Sequence, residues 1–279
     1  MKKTNFPKIL VLLFLAGLSL SGCTNKNSQT NNSEIAVTNS YLQCVVQDIC
    51  GDANEGFCLA PPGMCPGHFD ISPSQVNRLG SCKVLLLFDF QGKVESSLSG
   101  LKENGLKTFL IKSYPGMCIP QVYLDTCEEI CNLLSEEFPE KKDLFEHRLN
   151  LVRERMKNLG TDLQTKIKDS GLTSLQVIAS GHQADFANWL GLETIAKFSG
   201  SDSETPNNIN ECLNIAKQSN VKYIIANKQE GTYLADSLAD RLNLNTVIFS
   251  NFPDSTDNLT GFDTLVRQNV KEIIEANQK

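Results

Sequence analysis

Across residues 141–168 the apolar residues Phe145, Leu149, Val152, Met156, Leu159, Leu163 and Ile167 follow one another at gaps of 4, 3, 4, 3, 4 and 4. That is the period of an α-helix with a single apolar stripe. At a rise of ~1.5 Å per residue the helix is ~40 Å long, and only Gly160 interrupts its helix-favouring composition. On both sides of it, short apolar runs alternate with helical patterns. Before it, residues 35–38, 84–88 and 108–111 read as strands, and 41–50 and 125–138 as helices. After it, residues 175–179, 194–198, 221–226 and 246–249 read as strands with helices between them, and a last helix covers about 261–277. Strands alternating with helices predict parallel sheets. The fold class is therefore α/β: two parallel-sheet α/β lobes, residues 35–140 and 171–279, joined by one long connecting helix within 141–170. No tandem repeat is present.

The amino terminus carries an export signal. Lys2, Lys3 and Lys8 precede an apolar run at residues 9–20, which ends in Leu20-Ser21-Gly22-Cys23. A dozen residues is too short to span a bilayer comfortably. The string resembles a bacterial lipoprotein signal peptide, residues 1–22, with Cys23 as the lipidated first residue. Its removal takes three lysines and moves the formal charge from −6 to −9. Residues 23–34, polar and Asn-rich, read as a flexible tether. The expected location is extracytoplasmic, on the outer face of the cytoplasmic membrane or a periplasmic membrane surface.

Several classes are excluded. An acidic chain lacks the basic stripe that a general nucleic-acid binder needs. No second apolar run is long enough for a polytopic membrane protein. No Gly-x-Ser-x-Gly, Walker loop, dinucleotide fingerprint or Cys-x-x-Cys occurs, and Ser180-Gly181-His182 near Asp185 is adjacency, not triad geometry. These absences leave no sign of an enzyme or of an organic cofactor.

Three stretches carry a family resemblance. The segment from Pro66 through Gly67, His68, Pro73 and Ser74 to Val76, then Ile119-Pro120-Gln121-Val122-Tyr123-Leu124-Asp125, and then Gly181-His182-Gln183-Ala184-Asp185-Phe186 with Gly191-Leu192-Glu193, are similar in order and spacing to segments of the metal-binding substrate-binding lipoproteins of ABC transporters. The resemblance covers residues 35–279. It implies two lobes around a cleft, His68 and His182 as metal ligands from opposite lobes, and a transition-metal ion as cargo. Zinc is the first candidate, with Cu(I) or another thiophilic ion as the alternative. It also implies an ABC permease and its cytoplasmic ATPase as partners. The chain departs from the family's ligand set at three positions. Gln121 stands where the family has its middle histidine, Ser250 at its acidic ligand, and Asn227 where it often has glutamate.

A local duplication bears on those departures. Pro62-Gly63-Met64-Cys65 and Pro115-Gly116-Met117-Cys118 share one string, and each cysteine sits three residues before a ligand position, His68 or Gln121. In the family fold both strings lie on cleft loops. Thiolate and thioether are soft ligands that favour Cu(I) or zinc over manganese or calcium. Cys65 and Cys118 are thus candidate ligands beside His68, His182 and Gln121, with Met64, Met117 and Ser250 as further ones. Two other readings stand beside this: a disulfide between the two cysteines, or free buried thiols, with both methionines as packing. Of ten cysteines, eight fall in the first lobe (Cys44, Cys50, Cys58, Cys65, Cys82, Cys118, Cys127 and Cys131), Cys212 in the second, and Cys23 at the lipid site. Eight allow 105 complete pairings. The alternatives to a metal receptor are a receptor of the same fold holding another small ligand, and a thiol or disulfide surface lipoprotein.

Overall fold

The first lobe runs through β1 (Ile35–Val37), α1 (Ser40–Cys50), β2 (Phe57–Cys58), α2 (Pro73–Leu79), β3 (Val84–Phe88), the short α3 (Gly92–Ser96) and α4 (Ser99–Glu103), β4 (Lys107–Ile111) and α5 (Pro120–Glu137). The connector is α6 (Lys142–Asp169). The second lobe has β5 (Gln176–Ser180), α7 (Gly181–Leu190), β6 (Glu193–Phe198), α8 (Pro206–Lys217), β7 (Tyr223–Asn227), α9 (Tyr233–Leu242), β8 (Asn245–Phe249) and α10 (Phe262–Gln278). This computed structural model describes residues 33–51, 56–64, 70–200, 202–254 and 261–278. The expectations for residues 1–22, Cys23, Cys65 and His68 fall outside them. No described helix is long and apolar enough to cross a membrane.

Each lobe holds a four-stranded parallel sheet, in the orders β2-β1-β3-β4 and β6-β5-β7-β8. The inner strands β3 and β7 are buried at every position, as continuous apolar runs in a covered parallel sheet must be. Successive side chains leave opposite faces. Along β1 and β3, Ile35, Val37, Leu86 and Phe88 enter one core, while Ala36, Leu85 and Leu87 enter a second beneath α2. Strand β2, two residues long at a sheet edge, escaped the periodicity reading because so short a run carries no period.

Helix starts follow local chemistry. Asn39 accepts the Leu42 N–H to cap α1, and Ser72 forms a capping box with Gln75 ahead of Pro73. Helix α5 begins five residues before the expected position. Pro120 occupies its first turn, where a missing N–H costs nothing. Glu34, in the stretch read as tether, pairs with Lys83 at 2.5 Å and Lys141 at 3.2 Å.

The connector matches its expected span to one residue at each end. Its stripe buries Phe145, Val152, Met156, Leu159, Leu163 and Ile167 in one apolar cluster that also takes in the inner faces of both sheets. Gly160 marks a close approach with room for little more than a methyl group. A Cβ there would stand 3.4 Å from the Trp189 ring of α7 and 3.9 Å from Pro120 of α5, so elements from both lobes close on the helix at this point.

Helix α10 crosses back to the first lobe. Phe262 stacks on Tyr123 at 3.9 Å and 14°, and meets Tyr41 edge-on at 6.0 Å. Beside that stack, Arg155 of α6 donates from Nη1 to Asp48 of α1 at 2.9 Å, and its Nε lies 3.2 Å from Asp263 of α10. Tyr123 donates its hydroxyl to the same Asp48 at 2.6 Å. Residues 32–279 thus form one compact unit.

Candidate metal centre

In an open parallel sheet, ligands bind beyond the carboxyl ends of the strands, where the strand order reverses. Both sheets reverse between their first and third strands. In the second lobe that places Ser180 at the end of β5, Gly181 and His182 just after it, and the turn Lys228–Glu230 after β7, at the site. Ser250 and Asn251 follow β8 at the same edge. In the first lobe the corresponding positions are Thr38 and Asn39 after β1, and Asp89–Gln91 after β3.

The deepest layer here is neutral. Buried Gln183 donates from Nε2 to Asn227 Oδ1 at 3.1 Å and Asn251 Oδ1 at 3.0 Å. Cys118, fully buried on the first-lobe loop before α5, lies 3.2 Å from the Ser250 carbonyl and 3.4 Å from Asn251 Oδ1, both acceptors for its S–H. Asn269 of α10 brackets Ser250, accepting its N–H and donating to its carbonyl, both at 2.9 Å. Gln229 closes the seam, donating to Ser250 Oγ at 2.8 Å and to the first-lobe Gly63 carbonyl at 3.1 Å. Gly63 is required there. Its φ is +72°, and a Cβ would come 2.6 Å from Asp254 Oδ2.

A charged layer lies outside the seam. His182 Nε2 is 3.6 Å from Glu230 Oε1, with His182 exposed and Glu230 only 19% so. Glu230 Oε2 accepts the Ser180 hydroxyl, and Ser180 Oγ in turn accepts the His182 N–H at 3.3 Å. Two nearby cations are already paired: Lys228 with Asp254 at 3.2 Å and Lys197 with Asp185 at 3.7 Å.

The sequence-derived candidates separate. His182 stands at the carboxyl edge, in the first turn of α7. Ser250 is there too, but buried in the seam, where its hydroxyl donates to the Phe252 carbonyl at 3.1 Å. Met64 is exposed at the lip beside Gly63. Met117 packs on the main core, and its carbonyl accepts the Tyr41 hydroxyl. Gln121 points to the solvent side of α5 and bonds Asp125 at 2.7 Å. It lines a groove of about 590 Å³ with Arg153, Lys157 and Trp189, away from His182. Cys118 is a free thiol, as are the other described cysteines; Cys65, its partner in the disulfide reading, lies outside the described residues. Burial pushes the Cys118 thiol up to about 12, against a smaller opposing effect of the Asn269 amide, so it sits in the seam as a neutral S–H. Among the described residues, no three His, Cys, Asp or Glu side chains converge on one point. Glu230, Gln183 and Asn269 escaped the sequence reading. The polar run Asn227-Lys228-Gln229-Glu230, directly after an apolar strand, was the signal for the first of them.

Comparison with known proteins agrees with this architecture. Residues 120–276 match the family model described as ZnuA, zinc-uptake complex component A, periplasmic. A metal ABC transporter substrate-binding lipoprotein, ScbA of Streptococcus cristatus, is 22% identical over 197 residues, covering 61% of this chain and 63% of that protein. The manganese ABC transporter substrate-binding lipoprotein scaA of Streptococcus gordonii is 29% identical over 89 residues, 30% of this chain and 28% of its own length. The chain thus aligns with less than two thirds of either relative. Among solved structures, the crystal structure of ZnuA superposes with a TM-score of 0.71 at 17% identity, covering 87% of this chain and 98% of that one. A periplasmic metal-binding protein from Candidatus Liberibacter asiaticus gives 0.73 at 14% identity, with the same coverage. The family consists of uptake receptors, not enzymes. With over half its length matched by the family model and both lobes and the connector in the same arrangement, the chain belongs to the ZnuA family.

Proposed function

We propose that this protein is an extracytoplasmic receptor, held to the membrane by lipid on Cys23, that captures a transition-metal ion between its lobes. It delivers the ion to an ABC permease driven by a cytoplasmic ATPase. Zinc is the first candidate for the cargo. The observation that carries the reading is His182, a solvent-accessible imidazole with a carboxylate beside it, at the carboxyl edge of a parallel sheet in a chain of this family. Imidazole is a common ligand for zinc and its neighbours. From the first lobe we assign His68 and Cys65 as partners. Met64, which precedes them, follows the Gly63 carbonyl that Gln229 holds one residue before Glu230. The interlobe ties through α6 and α10 restrict the lobes to small shifts rather than a wide hinge.

The test is metal content. Residues 24–279 would be purified anaerobically, loaded with Zn²⁺, desalted, and analysed for bound metal alongside free thiols. About one ion per chain, lost in the double variant Cys65→Ser/His68→Ala, is the expected result. No bound ion and no uptake on titration would refute the reading and point to an organic ligand.

A further inference from the structure

We propose that Glu230 is a metal ligand of this receptor, paired with His182, and that it takes over from the neutral Asn227 and Ser250. The inference rests on the metal-receptor reading and deepens it.

Four observations carry it. The first is distance. Two ligand atoms each about 2.1 Å from one tetrahedral zinc lie about 3.4 Å apart. His182 Nε2 and Glu230 Oε1 are 3.6 Å apart, so one ion bridges them with little movement. The second is orientation. The far oxygen, Oε2, accepts the Ser180 hydroxyl, which leaves Oε1 facing His182. Ligating carboxylates are commonly held by such an outer hydrogen bond. The third is space. Gly200 lies against this carboxylate, and a Cβ there would stand 2.9 Å from Oε1, so any other residue would crowd the ligand atom. The fourth is charge. His182 is in the first turn of α7, whose amino end carries partial positive charge and disfavours a cation. A bound ion there needs a carboxylate against it. Asp185 and Asp254, the neighbouring ones, are already engaged with lysines.

Asn227 and Ser250 do not compete for the role. Asn227 Oδ1 accepts from Gln183, and Ser250 Oγ is held between Gln229 and the Phe252 carbonyl. The ion site has thus moved outward from the strand ends, by three residues along the turn after β7.

The test compares Zn²⁺ affinity, by competition with a chromophoric chelator, in the wild type, Glu230→Gln and Asp185→Asn. Glutamine keeps the acceptor for Ser180, so the fold is retained, which a thermal melt checks. Asp185→Asn makes the same charge change beside the site without removing the ligand. Losing the outer partner of a ligand typically costs ~10–100-fold in affinity, so loss of Glu230 itself should cost ~100-fold or more. Asp185→Asn should leave affinity unchanged, and X-ray absorption of the Zn²⁺ form should lose one oxygen neighbour at ~2.0–2.2 Å in Glu230→Gln. If the wild type binds Zn²⁺ and Glu230→Gln binds it equally well, the assignment is overturned and the receptor reading stands. If the wild type takes up no Zn²⁺, both fall. Gly200→Ala is the second probe: it should weaken Zn²⁺ through crowding at Oε1, and unchanged affinity there counts against the assignment.

Discussion

Arg155 should be the single side chain whose loss most disturbs the relation between the lobes. It joins the connector to α1 through Asp48 and to α10 through Asp263. Arg155→Met keeps the stem's packing and removes the charge. Two carboxylates are then left facing each other, with side-chain exposures of 18% and 32%. Breaking a fully buried pair costs ~3–5 kcal/mol, but Arg155 is 40% exposed, so about 2 kcal/mol is the reasonable figure here. For a chain of this size that lowers Tm by ~4–8 °C. The pH dependence gives a sharper check. Burial raises the Asp263 pKa, and Arg155 is the main group pulling it back down. A carboxyl whose folded pKa is raised destabilises the fold above that pKa, and the penalty fades as pH falls through it. Removing Arg155 raises that pKa further. The cost of Arg155→Met should therefore be full at neutral pH and shrink as the pH falls through the raised Asp263 pKa, and Asp263→Asn should recover part of it at neutral pH. Chemical denaturation from neutral pH down through the acidic range measures this. A cost that does not fall anywhere in that range, or no cost at all, would refute the assignment of Arg155 as an electrostatic tie.

Gly160→Ala should stabilise the protein by ~0.5–1 kcal/mol, because its Cβ at 3.4 Å from Trp189 is an ordinary contact and alanine favours the helix. Gly160→Leu should instead displace Trp189 and lower Tm, and differential scanning calorimetry separates the two. Gly63→Ala combines a positive φ with a Cβ 2.6 Å from Asp254, so it should cost ~1–3 kcal/mol and loosen the seam. Faster alkylation of Cys118 than in the wild type is the expected sign. The eight described cysteines are free thiols, so a Cys23→Ser protein purified without oxidation should show at least eight reactive thiols in denaturant. In the native state Cys118 should react slowly at pH 8, since burial pushes its thiol up to about 12.

The fold was readable because its strongest signals are local. The stripe of the connector fixed α6 to within a residue, and the apolar runs at β3 and β7 marked the sheet centres. Long helices and fully buried strands each repeat one signal many times. The site was less readable because it depends on which loops meet. His182 was visible as a histidine opening a helix after a strand. Cys118 drew notice as one half of a duplicated string, but its neighbours Ser250, Asn251 and Asn269 lie more than 130 residues away in sequence. Nothing local announces that a thiol will be buried among amides. Glu230 looked like any exposed acidic residue in a turn, and only the packing of Gly200 and Ser180 against it sets it apart. Pro120 likewise hid the first turn of α5, since a proline reads equally well as a loop residue or a helix start.

The two layers at the carboxyl edge divide the work of a receptor between different residues. The inner seam, Cys118 with Gln183, Asn227, Gln229, Ser250, Asn251 and Asn269, is neutral, so the contacts between the lobes there need no ion to offset repulsion. Each of its hydrogen bonds adds only ~1 kcal/mol net, but leaving one of these buried groups unpaired costs ~1–3 kcal/mol. That penalty holds the seam shut and makes its opening an all-or-none matter of several groups at once. Among the described residues, the outer pair, His182 and Glu230, is tied to Ser180 within the second lobe, so reaching it breaks no seam bond. The His182 and Glu230 side chains can thus be reached from solvent with the seam closed.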